Sequence, residues 1–404
     1  MDSYQHVVGI DWGSQTHQVC LISPRRAPEQ RQFAHRAEGL AALVAWLTEA
    51  CGDVGTVAIG IEVPHGAVVE TLLEHGFAVY AVNPKQLDRF RDRHSVAGAK
   101  DDRLDAFVLA DALRSDLHKF KRLSIPDATT LALREVSRCY DTLKVDLNRL
   151  ANRLREQLQR YFPQLLELCP AANEPWLWEL LAVAADPARA AALQKRRVSA
   201  LLARHRKRAV SADDVIDVLR SEPLTLAPGS LEAVLFHVSV LLPQLQATHA
   251  EQRRCRHRLA ELCGEAGRLA EIVDSHRGAD VIVTAKLLAE APQALAEHDL
   301  QMLRILAGTA PVTRQSGKSH RVVMRRACNT RLRDAVRHWA RSNMASDPYG
   351  RSLYLSMRAR GHRHERALRG LADRLLACLV ATLRNDELYD PQRRARRVPE
   401  ALAA

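Results

Sequence analysis

Asp102 and Asp105 stand three residues apart where a helical pattern opens, in Lys100-Asp101-Asp102-Arg103-Leu104-Asp105-Ala106, so both carboxylates project from one helical face. Phe107, Val108, Leu109 and Leu113 follow on the apolar side, which must lie on a core. Carboxylates set side by side repel unless a cation sits between them. Two further acids, Asp11 and Glu62, each end an apolar, strand-like run, 6–11 and 56–62. Converged, the four would suit a pair of Mg2+ or Mn2+ ions about 3.5 to 4 Å apart, holding the attacking and leaving oxygens of a phosphodiester. Taken singly, each has an ordinary reading. Asp11 is a turn former, Glu62 a strand-end ion pair, and Asp102 with Asp105 a first helical turn favoured by the helix dipole.

The elements that must position these acids follow from periodicity. After the strand ending at Asp11 comes a turn signal, Trp12-Gly13-Ser14, then two further strands over 17–23 and 31–37. Residues 38–51 are helical, with Leu40, Leu43, Val44 and Leu47 on one face. A helix over 65–75, a buried strand over 77–82, and Pro84 at the favoured first position of the next helix complete the pattern. The order β-β-β-α-β-α-β-α over residues 1–125 predicts an α/β ribonuclease H-like domain, in which the first and fourth strands are neighbours and Asp11 and Glu62 end side by side. Ile10-Asp11-Trp12-Gly13-Ser14 also resembles the first phosphate loop of actin-like ATPases and sugar kinases, but the second Gly-rich loop and adenosine motif those proteins need do not follow.

Residues 126–272 read as an α-helical coiled-coil domain. Its first arm carries Val136, Tyr140, Leu143, Leu147, Leu150, Leu154, Leu158 and Tyr161, and its second runs from Leu245 to Leu269. Similar lengths predict an antiparallel hairpin around a helical insertion at about 163–243, an ordinary helical bundle being the alternative. The insertion's basic runs, 195–197 and 204–208, read either as a solvated face or as a nucleic-acid contact.

Residues 273–395 form a mainly α-helical third domain, followed by a basic or disordered tail over 396–404. Between 314 and 341 stand nine Lys or Arg residues and one acid, Asp334. Arg314, Lys318, Arg321, Arg325, Arg326, Arg331 and Arg333 therefore form a candidate phosphate-binding surface. Within it Ser316, beside Gly317 in a loop over 313–319, is either a turn residue or a hydroxyl placed to attack a phosphodiester, with arginines stabilising the developing charge.

The whole chain, 404 residues with net charge +12, favours a polyanionic partner. Its eight cysteines show no C-x-x-C pair and read as reduced thiols of a cytoplasmic protein. No apolar run reaches the roughly 18 residues of a membrane span.

Taken together, Gly9-Ile-Asp11, Gly60-Ile-Glu62-Val-Pro64, Val82-Asn83-Pro84, Lys100 to Ala106, Gly308-Thr-Ala-Pro311, Gln315-Ser316-Gly317 and Asn329 with Arg331 to Arg333 resemble the DEDD transposases of the insertion-sequence one-ten group. The resemblance implies a RuvC-like first domain binding Mg2+ through Asp11, Glu62, Asp102 and Asp105. It also implies a C-terminal transposase domain in which Ser316 joins DNA covalently, and a homo-oligomer, dimer or tetramer. A noncoding bridge RNA would pair with donor and target DNA, so that base pairing chooses the sequence. A DNA invertase of the same architecture, or a metal-dependent junction nuclease indifferent to Ser316, are the alternatives. Arg277-Gly278-Ala279-Asp280 departs from the family's P-G-x-G turn, which puts phosphate binding there in question.

Overall fold

The computed structural model describes residues 4–63, 66–93, 101–124, 127–316 and 319–392, without the side chains of Lys85, Lys121, Arg314 and Ser316. The chain divides into two compact units, Met1–Pro126 and Asp127–Ala404.

In the first unit, β1 (His6–Asp11), β2 (Thr16–Ile22), β3 (Glu29–Ala34), β4 (Val57–Ile61), β5 (Ala78–Ala81) and β6 (Lys121–Arg122) form one mixed sheet in the order β3-β2-β1-β4-β5-β6. The first three strands make an antiparallel meander, and β1, β4 and β5 run parallel. The predicted adjacency of the first and fourth strands is present. Ile10 lies opposite Ile61, so Asp11 and Glu62 leave neighbouring strands at one level. The two-residue β6 was not foreseen, being too short to carry an alternation.

Strand alternation assigns the two faces of this sheet. Val8, Ile10, Ile59 and Ile61 pack with α1 (Ala37–Cys51) and α2 (Ala67–Glu74) in one core. Val7, Ala58, Ala78 and Tyr80 join Val108, Leu109, Ala112 and Leu113 of α4 (Asp102–Asp116) in the other. The intervening α3 spans Pro84–Arg91. Gly9 and Gly60, opposite one another in register, fall on the α4 face. A Cβ at Gly9 would stand 2.0 Å from the Ala106 carbonyl oxygen and 2.6 Å from the Ala110 nitrogen. At Gly60 it would stand 2.1 Å from Leu113 Cδ1. The helix thus lies in a groove that two missing side chains leave in the sheet. Within each Gly-Ile-acid triplet the glycine seats α4, the isoleucine fills the opposite core, and the acid ends beside the helix's first turn.

Among the described residues, the regular structure of the second unit is helical except for one hairpin. Two long helices, α5 (Ala128–Tyr161) and α11 (Ser230–Glu265), pack together. Leu133 shares a core with Leu259 and Leu262, while Leu154 and Leu158 share another with Val234, Val238 and Leu241, so the pair is antiparallel. Between those ends the seam residues Tyr140, Leu143 and Leu147 are half-buried. The first core is completed by α12 (Arg268–Ser275), α13 (Val281–Glu290), α14 (Pro292–Ala296), α15 (Leu300–Leu306), α16 (Thr330–Ser346), α17 (Pro348–Ala359) and α18 (His364–Arg384). The second is completed by α6 (Leu165–Leu168), α7 (Pro175–Ala184), α8 (Pro187–Ala191), α9 (Lys195–Arg204) and α10 (Ala212–Arg220), with Trp176 and Trp178 fully buried. The second long helix passes through Pro243 rather than starting after it. Apolar burial of Val234, Val238, Leu241 and Leu242 before the proline offsets its missing N–H. The stretch predicted as a loop at 313–319 lies in a hairpin of β7 (Val312–Ser316) and β8 (Ser319–Val323), which pair antiparallel.

The groove makes a prediction that ranks two similar substitutions. Gly9→Ala meets backbone that cannot move without lifting α4, and should cost about 3 kcal/mol. Gly60→Ala meets chiefly the tip of Leu113, with the Leu109 carbonyl oxygen farther off at 3.3 Å, and should cost about 1 kcal/mol. Urea unfolding of the full chain followed by circular dichroism measures both, and equal losses would contradict the groove.

Candidate active site

A cleft of about 400 Å³ opens where β1 and β4 end, and Asp11, Glu62, Asp102 and Asp105 all line it. Each arrives by a different local rule. Asp11 and Glu62 continue the alternation of Gly9 and Gly60. Asp102 and Asp105 lie in the first turn of α4, whose N-terminal dipole favours negative charge. Asp101, outside the acidic set on sequence grounds, is that helix's N-cap and accepts from the Arg103 amide. Gln30 Nε2 donates to the Arg103 carbonyl at 3.2 Å and Gln18 Nε2 to Gln30 Oε1 at 3.4 Å, tying the same turn to β2 and β3.

Asp105 is buried, 3% exposed, and Asp102 is exposed. Arg91, at the end of α3, donates from Nε to Asp105 Oδ1 at 2.7 Å and from Nη1 to Asp88 Oδ1 at 3.0 Å. The Asp105 hydrogen bond, with burial opposing it, raises the Arg91 pKa above its ordinary value. Val82-Asn83-Pro84 explains how Arg91 arrives, since Gln86 and Leu87 donate to the Asn83 carbonyl as α3 starts. Sequence reasoning missed Gln18, Asp88 and Arg91. Arg91 stands among Arg89 and Arg93 with nothing in the spacing to single it out.

Among the described residues lining the cleft the oxygen donors are carboxylates, carboxamides and the Thr16 hydroxyl, with no cysteine or histidine, a set that suits a hard divalent cation rather than zinc. Among the described residues no three His, Cys, Asp or Glu side chains are gathered as metal ligands. The donor types fit Mg2+ or Mn2+, and side-chain rotation would have to complete the cage.

On the far face of β2, the buried His17 bonds His35 through Nε2 and Nδ1 at 2.9 Å, beside the Trp12 ring at the cleft's mouth. Burial, then the charge of His35, pulls the His17 pKa down to about 4.

In the second unit, the hairpin bearing Ser316 is clamped at its base. Gly308, at φ +67°, turns against Cys328, where a Cβ would lie 2.9 Å from Sγ. Asp373 takes both arms of Arg304, at 2.8 and 2.9 Å, and the Thr309 hydroxyl at 3.1 Å. On the other side Asn329 caps α16 and donates to Glu290 Oε2 at 2.7 Å. The Ser316 backbone pairs with Ser319. Gly317 and Lys318, like Pro64 and Lys100 of the other motifs, lie outside the described residues, and the side chains of Ser316 and Arg314 do too. Of the other basic candidates, Arg321 and Arg326 are exposed and Arg325 is half-buried. Arg333 bonds its neighbour Asp334 at 3.2 Å. Arg331 turns inward to Asp141 at 2.9 Å, and Asp141 also holds Lys286 at 2.6 Å. The Gly278 turn is likewise occupied, its Arg277 carbonyl accepting from Trp339 Nε1 and Asn343 Nδ2.

Comparison with known proteins fits this arrangement. Residues 8–163 match the DEDD transposase family model of the IS110 type, and residues 270–355 match the transposase IS116/IS110/IS902 family. A protein named as the mini-circle transposase for IS117 of Streptomyces coelicolor is 30% identical over 405 residues, 97% of each chain. The 43.6 kDa protein of insertion element IS110 from the same organism is 31% identical over 297 residues, 72% of each chain. A protein of Sinorhizobium fredii named as transposase y4uE is 48% identical over 207 residues, 50% of this chain and 58% of that protein. The fold of the first unit is the ribonuclease H-like fold of DEDD transposases. The chain belongs to the IS110 family of transposases. Among the described residues no helix is long and apolar enough to cross a membrane.

Two outcomes follow. The neutral form of His17 is the one the fold holds, so its contribution is complete above pH 6.5 and is lost as pH falls from 6.5 towards 4. The melting temperature should fall across that window, and less steeply in His17→Gln. Asp141→Ala strands the buried Lys286, 8% exposed, and should cost about 3 kcal/mol in urea unfolding. The pair Asp141→Leu with Lys286→Met should recover most of it.

Proposed function

We propose that the chain is a transposase that cuts and rejoins the DNA of a mobile element, using the acidic cleft of the first unit and Ser316 of the second. The observation carrying this reading is the convergence of Asp11, Glu62, Asp102 and Asp105, from two strand ends and one helix start, on a single cleft in an IS110-family chain. Those four side chains would hold Mg2+ or Mn2+, which supplies Lewis-acid stabilisation of charge on the phosphodiester oxygens. Ser316 Oγ attacks phosphorus, the O–P bond to serine forms as one bond to a deoxyribose oxygen breaks, and the proton lost by the serine hydroxyl is balanced by the one taken up by the released deoxyribose oxygen. Rejoining reverses the exchange with a second strand end, so phosphoester energy is conserved and no nucleotide cofactor is required. Arg321, Arg325 and Arg326, with Arg314, Lys318 and Arg333, are the residues we assign to backbone phosphates.

In this reading a noncoding bridge RNA selects donor and target by base pairing, and the active form is a homo-oligomer, dimer or tetramer. The DNA invertase alternative differs in substrate rather than in chemistry, and DNA bearing element ends separates the two.

The test incubates the full chain with end-bearing DNA, the transcript of its flanking region and Mg2+, and resolves products on a denaturing gel. A protein–DNA adduct is expected in wild type and should be absent in both Ser316→Ala and Asp102→Ala. Nicks without adduct, undiminished by Ser316→Ala, would leave a junction nuclease acting through the acids alone. An adduct that survives Asp102→Ala would remove the cleft from the reaction.

A further inference from the structure

Five carboxylates line the cleft: Asp11, Glu62, Asp88, Asp102 and Asp105. Among the described side chains lining it, Arg91 is the single lysine or arginine. Its two bonds are unequal in consequence. The Asp105 side chain is 4% exposed and that of Asp88 is 66% exposed. Water can replace the guanidinium on Asp88. It cannot readily do so on Asp105, where an unpaired buried carboxylate is strongly destabilising. Holding Oδ1 of Asp105 at 2.7 Å, Arg91 draws on a carboxylate that a divalent cation in this cleft would need. In this arrangement the acids are not gathered three to a metal.

We propose that Arg91 is the cleft's exchangeable internal counter-ion: it neutralises Asp105 while no metal is bound, and withdraws onto Asp88 and solvent when a divalent cation enters. The proposal rests on the reading of the cleft as a metal site. Arg91 is the last residue of α3, so the exchange requires side-chain rotation and no movement of the sheet or of α4. Asp88, one turn earlier on the same helix, keeps a partner for the guanidinium on either side of the exchange. Arg91 therefore permits an acidic cleft to fold without metal and opposes the metal's binding, so it sets the divalent affinity. The contrasting arrangement, in which Arg91 stays on Oδ1 and aims Oδ2 at the metal, would make Arg91 assist binding. The two differ in the sign of one measurement.

The experiment uses the full chain as wild type, Arg91→Gln, Arg91→Lys and Asp102→Asn, with Mg2+ and Mn2+ as probes. Melting temperature is read in a chelator and across a cation titration, and Kd by calorimetry. Arg91→Gln should melt below wild type in chelator, and should bind Mg2+ about tenfold more tightly, because a positive charge in contact with a ligand has gone. Arg91→Lys, whose ammonium cannot span Asp105 and Asp88 together, should fall between the two. If Arg91→Gln does not fold, Arg91→Lys alone decides: tighter binding than wild type supports the exchange, and equal or weaker binding overturns it. Equal or weaker binding by a folded Arg91→Gln overturns it as well. A wild-type response abolished by Asp102→Asn, together with unchanged affinity in the Arg91 variants, removes the exchange and leaves the metal site standing. No cation response in wild type removes the metal site, and the exchange with it.

Discussion

The distance between α4 and the sheet governs the first unit, and two absent side chains set it. Gly9 and Gly60 lie opposite each other on β1 and β4, and the helix presents Ala106, Ala110 and Leu113 to them. At the glycines themselves little apolar area is available, and Val108, Leu109 and Leu113, buried beside them with Val7 and Tyr80, supply the core on this face. On the opposite face Ile10, Ile59, Ile61, Leu43, Leu47 and Trp46 are buried. Both faces therefore hold the domain together, and the two glycines let a helix start come close to two strand ends.

Proximity creates an electrostatic difficulty that local structure then answers. Four carboxylates on strand ends and a helix start share one cleft, and only their side chains can turn apart. Asp102 and Asp105 gain from the dipole of α4, and the Asp101 side chain satisfies the Arg103 amide of its first turn. The Gln18, Gln30 and Arg103 chain keeps that turn seated over the meander. Among the described side chains lining the cleft, Arg91 brings the one lysine or arginine charge, delivered from the side by α3 onto Asp105. Elements that look incidental in the sequence, a glutamine on each of two strands and an arginine at a helix end, keep the acidic arrangement compatible with a folded chain.

Most of this frame was legible because its signals are periodic. Alternation disclosed the strands ending at Asp11 and Glu62, helical spacing put Asp102 beside Asp105, and element order fixed which strands adjoin. The long helices showed through their apolar seams, although burial carries α11 through a proline that reads as a stop. Other features lacked a periodic signal. The β7–β8 hairpin is wet on both faces, with Val322 61% exposed, so no alternation betrays it. Arg91 acts through Asp105, a partner on another helix 14 residues along the chain, and pattern cannot distinguish it from Arg89.

That hairpin shows how a motif can mark positioning rather than contact. Having no core of its own, it takes its orientation from where the chain enters and leaves it. On one side Arg304 and Thr309 fasten the Gly308 turn to Asp373. On the other, Asn329 fastens the start of α16 to Glu290, and Arg331 reaches Asp141 on α5, which also neutralises the buried Lys286. The residues flanking Ser316 that carry the family resemblance are therefore largely anchors, engaged by their own unit. Exposed Arg321 and Arg326 face a different constraint, since nothing in the unit's packing requires their charge. Sequence density around Ser316 and surface exposed to solvent are separate properties here. The anchors decide where the hairpin stands, and Arg321 and Arg326 lie exposed outside that anchoring.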